Sequence, residues 1–149
     1  MLGMRLVGLE NARASEAVLT ALDEADGVIF CPSNPFVSIG PILALPGVRE
    51  RVAQTPTIAI SPIIGGRALK GPAAKMMAEQ GLEVSALGVA QHYAGLVDGF
   101  VLDEADVRLE EAVRALGMAS LVTDSVMHNA ADRKRLATEI LSFMKTQWA

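Results

Sequence analysis

A glycine-rich, cationic segment carries the residue types that bind phosphate groups. Residues 62–72 read PIIGGRALKGP, and Lys75 follows one turn into an expected helix. Glycines let a ligand approach the backbone closely, and cations beside a helix start suit a phosphate or diphosphate. The residues in question are Gly65, Gly66, Arg67, Lys70 and Lys75. A solvated surface loop is the alternative interpretation. The P-loop pattern G-x-x-x-x-G-K-[ST] and the pattern G-x-G-x-x-G are both absent from the chain.

A second segment, residues 32–41, reads PSNPFVSIGP and follows another apolar run. Its prolines stiffen the backbone, so that Ser33 and Asn34 can offer hydrogen bonds from a fixed frame. Ser38 is expected to cap a short helix whose free N–H groups suit an anion. Because Ser, Asn and Pro are also common turn residues, an ordinary turn remains the alternative.

Acidic residues follow two other apolar runs. Asp124 ends a predicted core strand on the expected ligand side and is a binding candidate. Asp103, Glu104 and Asp106 have the oxygen ligands that a divalent cation prefers. The favoured interpretation is that Asp106 is the N-cap of a helix and that the other two are solvated acids.

The remaining reactive side chains favour structural roles. His92 and His128 lack the spacing of metal ligands, and His92 lies in a helical pattern. We therefore interpret His92 as a structural histidine rather than a base. Cys31 ends a predicted buried strand and is interpreted as a small apolar residue. Met76 and Met77 are expected in the core.

Short, continuous, β-branched runs predict the strands that must position these residues. The predicted strands cover 27–31, 57–61, 99–103 and 119–123, with a weaker candidate at 4–9. Continuous apolar runs are typical of strands covered on both faces. In a parallel sheet, ligands bind beyond the carboxyl ends of the strands. Both segments described above are therefore expected at that edge.

Helical patterns alternate with these strands. Val18, Leu22 and Ala25 form an apolar stripe before the second strand candidate. Two further helices are predicted from Pro72, at the first helical position, to near Gly81 and from a Ser85 cap to Tyr93. Another is predicted from an Asp106 cap to Gly117. The last begins near Asn129, and its inner face consists of Leu136, Ile140 and Phe143. The alternation predicts a Rossmann-like parallel α/β sheet with helices on both faces, in a single domain over 1–149.

Composition narrows the class of protein. The chain has 149 residues, of which 51% are hydrophobic, and this argues against disorder. Its net charge of −4 and its aromatic content of 4% argue against a nucleic-acid surface. We also expect no membrane span and no signal peptide. The single cysteine excludes an internal disulfide and favours the cytoplasm.

Five segments, taken in order, carry a resemblance to a known family. They are CPSNPFVSIGPIL (31–43), SPIIGGRALKGPAAKMM (61–77), SALGVAQHY (85–93), DGFVLDEAD (98–106) and LVTDSVM (121–127). Together they make the chain similar to the 2-phospho-L-lactate transferases of coenzyme F-420 biosynthesis, whose actinobacterial-type members transfer phosphoenolpyruvate. The resemblance covers nearly the whole chain, but only the C-terminal half of the family.

The resemblance implies a Rossmann-like transferase fold and a specific reaction. A phospholactyl or phosphoenolpyruvyl group would pass from a GDP-activated donor to the deazaflavin alcohol Fo, with release of GMP and with Mg²⁺ assisting. Ser33, Asn34, Pro35 and Ser38, together with the loop over 65–75, would contact nucleotide, phosphate or deazaflavin. Catalytic residues stay unassigned, and no metal ligand is carried over to this chain.

The chain departs from the family pattern in length. It lacks the first half, which begins with a strand and a glycine-rich turn and contains the acidic residues associated with the metal. The expected partner is therefore the missing N-terminal half or a second copy, and an exposed sheet edge predicts self-association. A non-catalytic nucleotide or nucleotide-sugar binding module and a degenerate remnant are the alternative hypotheses.

Overall fold

A parallel four-stranded sheet lies at the centre of the fold. The structure is a computed structural model that describes residues 5–148. The sheet strands are β1 (Val28–Phe30), β2 (Thr57–Ile60), β5 (Gly99–Asp103) and β6 (Ala119–Thr123), in the spatial order β1-β2-β5-β6. All neighbouring pairs are parallel, with Ile29 opposite Ile58 and Val101 opposite Leu121. The predicted α/β fold class is confirmed.

A short antiparallel hairpin lies outside this sheet. Its strands are β3 (Ile63–Ile64) and β4 (Arg67–Ala68), and it follows β2 directly. The Ser61 hydroxyl fixes the turn into the hairpin, because it donates to the Ile63 carbonyl at 2.7 Å.

Seven α-helices lie before, between and after the strands in residues 5–148. They are α1 (Glu16–Asp23), α2 (Gly40–Leu43), α3 (Val48–Val52), α4 (Ala73–Glu79), α5 (Ala86–Tyr93), α6 (Glu110–Arg114) and α7 (Ala130–Trp148). The Ser85 hydroxyl accepts a hydrogen bond from the Gly88 N–H at 3.0 Å, so the predicted cap of α5 is confirmed. Within the described chain, no helix is both long and apolar enough to cross a bilayer.

Two apolar clusters cover the two faces of the sheet. The larger one joins Phe30, Phe100 and Leu102 to buried side chains of α3 to α6, including both predicted core residues Met76 and Met77. The smaller one packs Ile58, Ile60 and Val101 against α7. Leu136 and Ile140 are buried there as predicted, whereas Phe143 is only partly buried.

The strand predictions agree with the structure, with one exception. Strands β5 and β6 have the predicted bounds. Strand β1 is one residue shorter than predicted at each end, and β2 is one residue shorter at its carboxyl end. The weak candidate at 4–9 is wrong, because residues 5–8 form loop and turn and Leu9 begins a short 3₁₀ segment. Met4 lies outside the described residues.

Candidate functional site

The candidate site is the carboxyl rim, which we define as the segments that follow the four sheet strands: residues 31–38, 61–75, 103–109 and 123–127. In parallel α/β sheets this edge is where ligands bind. All ten predicted binding residues lie in these four segments: Ser33, Asn34, Pro35, Ser38, Gly65, Gly66, Arg67, Lys70, Lys75 and Asp124. Whether they contact a ligand stays a prediction, but their local geometry limits what each one can do.

The glycine pair forms the turn of the β3–β4 hairpin. Gly65 and Gly66 have φ values of 55° and 75°, and Ile64 pairs with Arg67 across them. Two consecutive positive φ values are the signature of a type I′ turn, which needs residues that tolerate the left-handed region. A hairpin requirement therefore accounts for both glycines, whether or not a ligand approaches them.

The Gly65 amide already has a partner. It donates to Oδ2 of Asp106 at 2.9 Å, and Asp106 is only 2% exposed. This bond ties the hairpin to the segment after β5, so the Gly65 N–H is occupied within the protein. The hairpin can therefore contribute to phosphate binding mainly through the Arg67 side chain, whose position the turn sets.

The cations beside the turn are exposed. Arg67 and Lys70 lie at the surface, and within residues 5–148 neither takes part in an ion pair. Lys75 lies 3.8 Å from Glu79 in an exposed pair, and such pairs contribute little to stability. Arg67 and Lys70 are thus available to an incoming anion.

Helix α4 begins close to these cations. Pro72 is its N-cap residue rather than its first helical residue, so the helix begins one position later than predicted. No side-chain hydrogen bond caps this end of the helix. The helix has seven residues, so its dipole is small compared with the full charges of Arg67 and Lys70. The cations therefore dominate the electrostatics of this part of the carboxyl rim.

Asn34 caps the turn that follows β1. Its Oδ1 accepts hydrogen bonds from the amides of Phe36 at 2.8 Å and Val37 at 3.2 Å. The expected Ser38 cap is wrong: Ser38 lies inside the capped π-helical turn Pro35–Ile39, because the Asn34 side chain reaches the free amides first. Ser38 is exposed and Pro35 is buried. Asn34 therefore fixes the loop, while Ser33 and Ser38 keep their hydroxyls for other partners.

The first rim segment contacts helix α4, whose first turn belongs to the second rim segment. The Asn34 Nδ2 lies 3.4 Å from the Met76 sulfur of α4, and Met76 is next to Lys75 in sequence. The structure thus brings the Ser-Asn-Pro turn beside the helix that follows the cationic hairpin. A ligand that reaches from one to the other is geometrically reasonable.

Asp103 is neither solvated nor free to bind a metal, which corrects its interpretation as a solvated acid. It is buried, its Oδ1 accepts from the Ala105 amide at 3.0 Å, and its Oδ2 accepts from the amide and hydroxyl of Ser125 at 2.9 Å and 3.0 Å. Burial alone would raise the pKa of Asp103, but these three hydrogen bonds outweigh it and lower the pKa. Glu104 is exposed.

The predicted Asp106 cap is also wrong. Asp103 is the N-cap of the 3₁₀ segment Glu104–Leu109, and Asp106 lies within that segment. Its carboxylate points instead to the hairpin, where it accepts from Gly65. A local pattern cannot show this, because the two residues are 41 positions apart. The expected C-terminal glycine, Gly117, does have a positive φ of 87°.

Asp124 lies at the opposite end of the carboxyl rim from Ser33. The strands β1 and β6 that precede them are separated by three strand spacings, about 14 Å. The carboxylate of Asp124 lies 3.4 Å from the guanidinium of Arg135 and accepts from the Val126 amide. Arg135 also donates to the Asp124 carbonyl at 2.6 Å. Asp124 is therefore anchored to α7.

Cys31 and His92 both lie near the surface, but their surroundings differ. Cys31 is exposed at the end of β1, so its interpretation as a buried apolar residue is wrong; the apolar run ends at Phe30. His92 contacts the rings of Phe36 and Tyr93 with centroid distances of 5.0 Å and 5.3 Å. Burial, with help from Arg49, lowers the pKa of His92. Burial raises the pKa of Tyr93.

The described part of the chain, residues 5–148, does not bring together the side chains of a metal centre. Over residues 5–148, no three His, Cys, Asp or Glu side chains come together in a way that could hold an ion. His92 packs against aromatic rings, and the best carboxylate candidates, Asp103 and Asp106, are engaged by backbone amides.

Comparison with known proteins identifies relatives over almost the whole chain. The family model described as 2-phospho-L-lactate transferase CofD matches residues 3–145. A 2-phospho-L-lactate transferase of Methanosarcina barkeri is 40% identical over 146 residues, which are 98% of this chain and 47% of that protein. A phosphoenolpyruvate transferase of Streptomyces coelicolor is 41% identical over 139 residues, 91% of this chain and 44% of that protein.

A third relative matches a shorter stretch of the chain at higher identity. A phosphoenolpyruvate transferase of Thermobifida fusca is 50% identical over 101 residues, which are 67% of this chain and 31% of that protein. The chain spans about half the length of the Methanosarcina and Streptomyces relatives.

Proposed function

The chain belongs to the 2-phospho-L-lactate transferase CofD family, and from this premise we propose that it supplies the donor-binding rim of a transferase of coenzyme F-420 biosynthesis. The transferred group is phospholactyl or phosphoenolpyruvyl, the donor is GDP-activated, and the acceptor is the deazaflavin alcohol Fo. The family model and the names of the relatives support the transfer of a phosphorylated three-carbon acid.

One observation carries the assignment of the donor to this chain: Arg67 and Lys70 are exposed beside a rigid turn. The type I′ hairpin and the Asp106 bond hold the turn in place, and neither cation forms an ion pair within residues 5–148. The turn fixes the backbone position of Arg67, and hydrogen bonds from cationic side chains to a phosphate are stronger than those between neutral groups. We assign the diphosphate of the donor to Arg67 and Lys70, with Lys75 as an outer contact.

The chemistry of this transfer explains why cations are needed. The alcohol oxygen of Fo forms a bond to the phosphorus next to the three-carbon acid, and the bond from that phosphorus to the bridging oxygen of GMP breaks. The alcohol loses its proton, and GMP leaves with the bonding electron pair. Negative charge therefore grows on the GMP phosphate, where Arg67 and Lys70 oppose it. Phosphoryl transfers of this kind depend mainly on positioning and electrostatics.

Magnesium is expected to assist the reaction by neutralising phosphate charge when it is bound. The carboxylates of residues 5–148 do not fit a complete magnesium site, since Asp103 and Asp106 are engaged within the protein. We therefore assign no magnesium ligand to this chain and propose that the ligands belong to the unmatched half of the relatives.

Calorimetric titration with GDP tests the donor site. We expect the chain to bind GDP weakly and the double variant Arg67→Ala/Lys70→Ala to bind about tenfold or more weakly still, since a hydrogen bond to a charged group contributes about 1.5–3 kcal/mol. The control Arg49→Ala/Lys145→Ala removes the same charge from helices α3 and α7 and should leave the affinity unchanged. Equal affinities of the wild type and the Arg67/Lys70 variant would overturn the phosphate role.

A turnover assay separates the transferase from a binding module. We expect this chain alone to release no GMP from the activated donor, and we expect release once the unmatched half of a relative is added. Binding of GDP or of a nucleotide sugar with no GMP release in the combined sample would favour the non-catalytic module. Transfer by this chain alone would show that half of the relatives' length suffices for catalysis.

A further inference from the structure

The two faces of the sheet are covered to different extents. The large cluster covers one face with several helices. On the other face, α7 is the one helix in residues 5–148 that contributes to the smaller apolar cluster. A helix is about 10 Å wide and strands are about 4.8 Å apart, so one helix covers about two strands. Accordingly Ile58 and Val101 on the central strands are 0% exposed, whereas Ile29 on β1 is only partly buried.

A groove runs along the uncovered side. This β1–α7 groove has a volume of about 570 Å³ and is mostly apolar, and it is lined by Ile29, Pro56, Leu141, Met144 and Trp148 among others. Leu141 is 52% exposed, although it is a large aliphatic residue next to the buried Ile140 of the same helix. The β1–α7 groove therefore has the character of a core that lacks one layer.

Strand β1 is also open for pairing at the same place. Among residues 5–148 its one partner is β2, and the Val28 amide donates to the Pro56 carbonyl at 2.9 Å. Because a parallel ladder alternates along a strand, the N–H and C=O of Ile29 face away from β2. An open edge beside an apolar groove is a template for a further strand.

The opposite edge of the sheet has a different character. Beside β6, Ser120 bonds to Arg114 and Glu110, and Thr123 bonds to Glu139. Charged networks of this kind are typical of an edge that faces solvent. The apolar groove therefore distinguishes the β1 edge from the β6 edge.

The comparisons point to an occupant for the β1 edge. The Methanosarcina barkeri relative matches 98% of this chain but has more than half of its own length outside the match. We propose that the β1–α7 groove and the open edge of β1 receive that other half of the transferase, which adds a strand beside β1 and a helix beside α7. The other half occupies the β1–α7 groove whether it is carried on the same polypeptide or on a separate one.

A second copy of this chain fits the β1–α7 groove less well. A two-fold axis would place β1 against β1 in antiparallel orientation, because a two-fold interface pairs each surface with itself. The sheet is parallel throughout, and β1 has only three residues for such a pairing. This inference rests on the family membership and on the groove, and does not depend on GDP binding.

Co-expression tests the proposal. A tagged form of this chain is produced together with the unmatched half of the Methanosarcina barkeri transferase, and the two are purified through the tag. We expect them to co-purify in equal amounts, with slower hydrogen exchange at the Ile29 amide. Leu141→Arg should lower the affinity between the two halves at least tenfold. The control Ile42→Arg replaces an aliphatic side chain of α2 that has the same exposed fraction, 52%, and should leave the affinity unchanged.

The fold of each variant is checked by circular dichroism and by cooperative unfolding. Co-purification that is unaffected by Leu141→Arg would overturn the proposal, and so would failure of the folded wild-type chain to co-purify. A homodimer that persists in the presence of the other half and dissociates in Leu141→Arg would instead assign the β1–α7 groove to a second copy. Because none of these readouts involves nucleotide, loss of GDP binding leaves the result intact.

Discussion

The Oδ2 atom of Asp106 accepts a hydrogen bond from the Gly65 amide at 2.9 Å, and this bond joins the cationic hairpin to the segment after β5. Asp106 is buried, so its carboxylate needs a donor there. The hairpin has only two residues in each strand and gains rigidity from outside itself. The position of Arg67 thus depends on a carboxylate that is 41 residues from the turn.

Removal of that carboxylate should loosen the hairpin. We expect Asp106→Ala to lower the free energy of unfolding by about 1–3 kcal/mol, because the Gly65 amide loses its partner. Exchange of the Gly65 amide with solvent should become faster in the same variant. Asp106→Asn keeps a carbonyl oxygen at the same place and should lose less than half as much. If both variants are as stable as the wild type, the bond does not hold the turn.

The turn itself should resist side chains that disfavour a positive φ. Gly65 has open space where a Cβ would lie, so substitution tests the backbone conformation alone. We expect Gly65→Ala to cost about 1–2 kcal/mol, the cost of placing an L-residue in the left-handed region. Gly65→Asn should cost less, because Asn tolerates this region. Thermal unfolding measures both, and equal losses would contradict the type I′ assignment.

Local sequence patterns predicted the central sheet well. Strands β5 and β6 have the predicted bounds because each is a continuous apolar run between a helix end and a polar residue. The Ser85 cap and the left-handed Gly117 also follow from local rules. The run at 5–9 failed because an apolar pattern gives a strand only where a neighbouring strand pairs with it.

The carboxyl rim was predictable in place but not in detail. The position of each segment follows from the strand that precedes it, whereas the role of each side chain depends on partners far along the chain. Asn34 rather than Ser38 caps the π-helical turn Pro35–Ile39, because its amide oxygen accepts from two backbone N–H groups. The pairing of Asp103 with Ser125 leaves no mark in the sequence except that Asp103 ends β5 and Ser125 follows the neighbouring strand β6.

Helix α5 should tolerate no side chain at Gly88. A Cβ built there would lie 2.1 Å from the Glu83 carbonyl oxygen and 3.0 Å from the Met77 methyl group. We expect Gly88→Ala to cost about 3 kcal/mol or more, at the upper end of the cost of overpacking. The control is Gly27→Ala, where the close atom is the flexible Met144 methyl at 2.5 Å, and its cost should be clearly smaller. Equal losses in denaturant unfolding would show that the backbone at Glu83 can move aside.

The hydrogen bonds of Asp103 should make the stability of the fold depend on pH in acid. The pKa of Asp103 lies below its ordinary value of 3.8 in the folded chain, so the unfolded chain binds more protons near that pH. The stabilisation from Asp103 is therefore complete above about pH 5 and is lost as the pH falls through the lowered pKa.

The variant Asp103→Asn tests this pH dependence. We expect it to be less stable than the wild type by about 1–3 kcal/mol at pH 7, because the NH2 group of the asparagine must then face an N–H or O–H donor. This difference should shrink as the pH falls from 5 to 3. Glu104→Gln, which changes the exposed neighbouring acid, should show no such convergence, and a constant gap for Asp103→Asn across this range would contradict the assignment.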